Sequence, residues 1–124
     1  MEKLAGFELC YLATPYTKYA TGHEMAFRDA ARLASRIQEL GINVYSPIVH
    51  GHPMCSHGVL PAADYSVWRL VNLVMMKRTD ALLIGQLPSW TYSSGIRDEV
   101  HEFKMQHKPI FYIDPETMNV TDFR

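Results

Sequence analysis

The stretch Ser93-Ser94-Gly95-Ile96-Arg97-Asp98-Glu99 contains the residues with the most chemical promise in the chain. Ile96, Val100 and Phe103 recur at i, i+4 and i+7, the spacing of one apolar helical face. At about 100° per residue Glu99 falls on that face, roughly 60° from Ile96, whereas Asp98 and Glu102 point away from it. A carboxylate turned inward is costly unless it is paired or put to work. Ser93, Ser94 and Gly95 at the start of the same helix leave backbone amides free for a phosphate or carboxylate. Read purely structurally, the same residues make Ser93 a helix cap and pair Glu99 with Arg97, Lys104 or a neighbouring element.

Other chemistry-bearing residues are scattered along the chain. Tyr11-Leu12-Ala13-Thr14-Pro15-Tyr16-Thr17 ends an apolar run with small residues, a proline and hydroxyls, so a ligand can approach the backbone around Ala13 and Pro15. Tyr11 itself reads either as part of that edge or as a core aromatic with a satisfied hydroxyl. His50-Gly51-His52-Pro53-Met54-Cys55-Ser56-His57 places four metal-capable side chains within eight residues. Structural zinc sites draw paired ligands from two separated knuckles, and no second pair follows, so no metal is expected. His50, nearest the preceding strand, is the expected substrate contact, and the other histidines are expected to be solvated. Asn72 is a lone amide in the apolar run Val67 to Met76 and needs partners, from protein or ligand. Trp90, just before Ser93, either stacks on a base or anchors its loop.

These residues have to be positioned by strands and helices, and the sequence alternates between the two. Strands are expected at Phe7–Ala13, Ile42–Ser46, Asp80–Gly85 and Pro109–Ile113. Helices are expected at His23–Leu40, Ala62–Thr79 and Ser93–Gln106, the first stopped by Gly41 and presenting Phe27, Ala30, Ala31, Ala34 and Ile37 or Gln38 on one face. Asp64 near the start of the second helix, and Lys77 and Arg78 near its end, suit the helix dipole. Pro47–Pro61, with three prolines and two glycines, reads as a long loop, and the tail carries no clear element. The expected fold is α/β: a single-domain, three-layer sandwich with a four- to five-stranded parallel sheet of Rossmann or flavodoxin type and helices on both faces. In such sheets ligands sit at the carboxyl ends of the strands. The loops 14–22, 47–61 and 86–92 therefore lie on the functional edge, and Asp80 on the opposite one. The second helix is apolar nearly all round, which calls for a subunit interface and a homodimer or larger assembly.

Composition narrows the function. The 124 residues include 48% hydrophobic and 20% charged side chains, ordinary for a globular domain. Twelve basic and 13 acidic residues give a net charge of −1, without the electrostatic footprint of a nucleic-acid polymer binder. No apolar run approaches a membrane span, and residues 1–7 do not read as a secretory signal. Two cysteines are too few for a disulfide scaffold, so a reducing, cytoplasmic setting is expected.

Together YLATPYT, SPIVHGHP and TDALLIGQLPSW followed by TYSSGIRDEVHEFKMQHKPI resemble the nucleoside 2-deoxyribosyltransferase-like superfamily, which includes the 2′-deoxynucleoside 5′-monophosphate N-hydrolases. The resemblance implies that Glu99 is the nucleophile at the anomeric carbon and that Tyr11 positions it. It further implies that Ser93 and Gly95, where the transferases carry an aspartate six residues before the glutamate, bind a 5′-phosphate. The implied activity is hydrolysis of a nucleotide N-glycosidic bond without a cofactor, with base exchange or plain nucleotide binding as the alternatives. In one respect the chain departs from the family: Asn72 stands where the family has an aspartate that handles the proton of the leaving base. An amide cannot supply that proton. Either Asp64 or His50 substitutes, or the base leaves unaided, or catalysis is weak.

Overall fold

Short apolar runs separated by amphipathic segments bury their strands most simply by pairing them side by side under helices. The computed structural model describes residues 1–61 and 65–124 and shows this arrangement. Five strands, β1 (Cys10–Ala13), β2 (Val44–Tyr45), β3 (Ala81–Gly85), β4 (Ile110–Ile113) and β5 (Val120–Asp122), form one sheet in the order β2-β1-β3-β4-β5. The pairs β1–β2, β1–β3 and β3–β4 are parallel and β4–β5 is antiparallel. The α-helices among the described residues are α1 (His23–Glu39), α2 (Pro47–Ser56), α3 (Tyr65–Arg78) and α4 (Ser94–Met105). Asp64, expected near the start of the second helix, lies outside the described residues.

Alternation along the central strands divides the core. Cys10, Leu12, Ala81 and Leu83 pack with Ala26, Leu33 and Ile37 of α1. Tyr11, Ala13, Leu82 and Ile84 pack with Met76 of α3 and with Ile96 and Phe103 of α4. Asp80 does lie at the amino edge of its strand. There its Oδ2 accepts the backbone N–H groups of Glu8 (2.7 Å) and Leu9 (3.2 Å), tying β3 to the segment that leads into β1.

Several expectations need correction. The segment 47–61 is not a continuous loop, because residues 47–56 form α2. Ser46 caps it by accepting the N–H of Val49, and Pro47 occupies the first turn, where its missing donor costs nothing. Gly51 lets the Trp68 ring approach, since a Cβ there would meet that ring at 3.1 Å. The buried face of α1 is Ala26, Ala30, Leu33 and Ile37, one residue out of step with the expected stripe; Gly41, at φ +88°, does follow its end. The sheet is not wholly parallel. Asp114 organises a turn by accepting the N–H groups of Glu116 and Thr117, and β5 returns antiparallel to β4. Within the single chain Leu70 and Val74 of α3 are 70% and 55% exposed. Among the described residues no helix is long and apolar enough to cross a membrane.

Candidate functional site

The strand order reverses between β1 and β3, and the carboxyl ends of these two strands open a crevice. Thr14, Tyr16 and Thr17 line it from the segment after β1, and Ile48, Gly51, His52 and Cys55 from α2. Trp68 and Asn72 of α3, with Ser93, Gly95 and Glu99 at the start of α4, complete the wall. The empty space, open mouth included, is about 800 Å³.

Glu99 sits on the buried face of α4 with Ile96 and Phe103, as the helical spacing predicts, and is only 7% exposed. The hydroxyl of Tyr11, fully buried on β1, donates to Glu99 Oε2 at 2.6 Å. Burial is the main influence on this acid and pushes its pKa up to about 8. The Tyr11 hydrogen bond opposes that rise, and the neighbouring Asp98 adds slightly to it. Tyr11 is flanked by Tyr45 and Phe103, with ring centroids 5.6 Å away in both cases, so its hydroxyl is held by packing. The Tyr45 hydroxyl is itself buried without a hydrogen-bond partner among the described residues.

Six residues before Glu99, about 9 Å along the helix axis, Ser93 caps α4 by accepting the Ile96 N–H at 3.2 Å. Its own hydroxyl hydrogen stays available to an anion. A Cβ on Gly95 would meet nothing closer than Ser93 Oγ at 3.7 Å, so the first turn is open to a ligand. Thr14 is 5% exposed, and its Oγ1 has no partner among the described residues. A buried hydroxyl that lines a pocket in this state calls for a partner from water or a ligand.

A second polar chain lies on the opposite wall. His52, 8% exposed, stacks on Phe27 at 4.7 Å; its Nδ1 is 2.8 Å from the Tyr16 hydroxyl and its Nε2 is 2.8 Å from Glu24 Oε2. The hydrogen bond from His52 holds Glu24 below the usual carboxylate range. Tyr16 is shifted up, first by burial and then by Cys55 and Glu24.

The crevice thus gathers Glu99, Ser93, Gly95 and Asn72, with Tyr11 behind Glu99. Other expected site residues do not line it. Ala13 and Pro15 are buried under the segment that does; Ser94 is exposed; Trp90 is half-buried against Tyr112 at 5.4 Å. His50 is exposed beside Tyr45, so His52 rather than His50 reaches the pocket, and the expectation that His52 is solvated is overturned. The cause is α2: as a helix it sets Ile48, Gly51, His52 and Cys55 on one face at i, i+3, i+4 and i+7 and turns His50 outward. That spacing is the signal by which the sequence could have disclosed them. Both ring nitrogens of His52 are engaged within the protein, which separates it from its neighbours as a metal ligand.

Residues 8–114 match the model of a family described as a domain of unknown function (DUF1937). No curated protein matches the chain.

Proposed function

We propose that this chain, which belongs to the domain family of unknown function DUF1937, hydrolyses the N-glycosidic bond of a (2′-deoxy)nucleoside 5′-monophosphate to free base and (deoxy)ribose 5-phosphate. The observation that carries this reading is a buried carboxylate, Glu99, hydrogen-bonded by Tyr11 and lining a pocket that also takes in the open start of its own helix. The resemblance to the nucleoside 2-deoxyribosyltransferase-like superfamily supports it. So does the order β2-β1-β3-β4, which we read as a three-layer sandwich of flavodoxin type.

Cleavage of an N-glycosidic bond builds oxocarbenium character at the anomeric carbon, which an adjacent carboxylate stabilises or traps. Glu99 attacks that carbon, and the bonding pair leaves with the base. Water then attacks the glycosyl–Glu99 intermediate and restores the carboxylate. Ser93 and Gly95 hold the 5′-phosphate, and this remote binding energy orients the sugar over Glu99. Tyr11 fixes the carboxylate without touching substrate. The Thr14 hydroxyl meets a sugar oxygen, and Asn72 and Trp68 face the base. The chemistry needs no cofactor or metal. Cys10 and Cys55 are free thiols, which supports a cytoplasmic setting.

Incubation with a panel of deoxynucleoside and nucleoside monophosphates, with and without an added acceptor base, tests the reading. Free base and sugar phosphate are expected. A new nucleotide formed only with acceptor would mean base exchange, and tight binding without product would mean a binding module. Ser93→Ala is expected to raise Kd for the monophosphate about tenfold, the size of one lost hydrogen bond to a charged group, while leaving Kd for the unphosphorylated nucleoside within about twofold. Equal weakening of both by calorimetry would remove phosphate from the α4 site.

The exposed Leu70 and Val74, one turn apart on α3, support self-association through that helix. Light scattering is expected to give a dimer or larger species, converted to monomer by Leu70→Lys with Val74→Lys. A monomeric wild type refutes the assembly.

A further inference from the structure

Breaking a glycosidic bond to a nucleobase leaves negative charge on the departing nitrogen, so a proton has to arrive as the bond opens. Glu99 is consumed as the nucleophile. Asn72, Thr14, Thr17 and Ser93 line the same pocket, but none of them titrates in the working range. The remaining lining residues with a proton to exchange are Tyr16, His52 and Cys55. The Cys55 thiol donates to the Gly51 carbonyl at 3.6 Å, so its hydrogen is already engaged within α2. His52 cannot reach a ligand directly, because Tyr16 and Glu24 occupy its two ring nitrogens, each at 2.8 Å. Any proton it holds passes through the Tyr16 hydroxyl.

We propose, resting on the Glu99 reading, that Tyr16 is the proton donor to the leaving base and that His52 and Glu24 form the relay that supplies it. His52 enters the cycle as imidazolium, its Nε2–H held by the Glu24 carboxylate and its Nδ1–H donated to the Tyr16 oxygen. The Tyr16 hydroxyl hydrogen is then free to point at the base. As the C–N bond breaks, its electron pair goes to the base nitrogen. A Glu99 oxygen bonds to the anomeric carbon, the Tyr16 proton moves to the base, and the His52 Nδ1 proton replaces it on Tyr16. The relay is left as neutral His52 beside ionised Glu24. In the second half, water bonds to the anomeric carbon as the C–O bond to Glu99 breaks. One water proton returns through Tyr16 to His52 Nδ1, which closes the cycle with one water consumed. Packing holds the parts: Tyr16 stacks on His23 at 4.3 Å and meets His52 edge-on at 5.8 Å, while Phe27 covers the other side of the imidazole.

A change of leaving group tests this. A para-nitrophenyl 2-deoxyribose 5-phosphate loses a stable phenolate and needs no proton, so its cleavage reports Glu99 alone. Tyr16→Phe is expected to slow kcat on deoxynucleoside monophosphates by about 10²–10⁴-fold, the usual yield of general acid catalysis, and kcat on the nitrophenyl substrate by less than about threefold. Glu24→Gln, at the half-exposed outer end of the chain, is expected to give the same selective pattern at about tenfold, and it keeps the test available if Tyr16→Phe does not fold. An equal loss on both substrates, or nucleotide turnover unchanged in both variants, overturns the relay and leaves Glu99 standing. Wild-type protein that cleaves neither substrate overturns the Glu99 reading and the relay with it.

Discussion

Glu99→Ala is expected to cut nucleotide turnover at least about 10³-fold, the scale on which loss of a nucleophile is felt, while Kd for the monophosphate stays within about threefold. The asymmetry follows from where the two jobs are done. In the proposed site, phosphate would be taken by Ser93 and Gly95 at the open first turn of α4 and the base faced by Trp68 and Asn72 of α3, all of which line the pocket. Glu99 would touch the ligand at the anomeric carbon, where its interaction strengthens as positive charge develops. Truncation leaves the ground-state contacts in place, and it also leaves the Tyr11 hydroxyl without the acceptor it holds at 2.6 Å. A modest loss of stability should therefore accompany the lost activity. Single-turnover kinetics and calorimetric titration on the same preparation separate the two effects. Turnover at the wild-type rate would end the assignment of Glu99 as nucleophile. Wild-type turnover with a Kd raised a hundredfold would recast it as a binding group.

How far the site was legible depended on how local each signal was. Glu99 was legible because its signal lies inside one helix: Ile96 and Phe103 set the face, and the carboxylate falls between them. The Tyr11 partner lies 88 residues away, and nothing in the local pattern of β1 distinguishes a tyrosine that binds a buried acid from one that fills a core. That pairing entered only through resemblance. The α2 wall was hidden because Gly51 and Pro53 argue against a helix, and only tertiary packing of Trp68 on Gly51, with the Ser46 cap, outweighs them. Phe27 misled for a related reason. A helical wheel cannot tell an aromatic that faces the sheet from one that stacks on a site histidine, so including it shifted the α1 stripe by one position. The α/β alternation and the sheet edge that carries the pocket were legible because both follow from the order of elements. The β5 return was not, because Val120 is the one apolar residue in its three and gives no alternating pattern to read.

The buried acid also leads to an expectation about stability and pH. With its folded pKa near 8 and an ordinary value near 4.5 in the unfolded chain, Glu99 keeps its proton in the native state over a range in which the unfolded chain releases it. Below about pH 4.5 the two states bind the same proton, and the group is neutral in effect. As pH rises from there toward 8 the unfolded state is favoured, and above 8 the full cost of burying a carboxylate is present. Glu99→Gln mimics the protonated side chain and still accepts the Tyr11 hydrogen bond. Its stability by urea unfolding should match wild type near pH 5 and exceed it by on the order of a few kcal/mol at pH 9. Activity should run the opposite way, because in the proposed mechanism the ionised form attacks. For wild-type cleavage of the nitrophenyl substrate, whose leaving group needs no proton, kcat/KM should climb roughly tenfold per pH unit below the Glu99 pKa and level off above it. Tyr11→Phe removes the bond that opposes the desolvation shift, so it should move that inflection upward. Equal stability of Glu99→Gln and wild type at pH 9 would mean that the carboxylate is solvated or paired in solution. In the proposed mechanism the acid that attacks the sugar is then the same group that destabilises the fold in the range where it reacts, the trade-off expected when a charge is buried for chemistry rather than for packing.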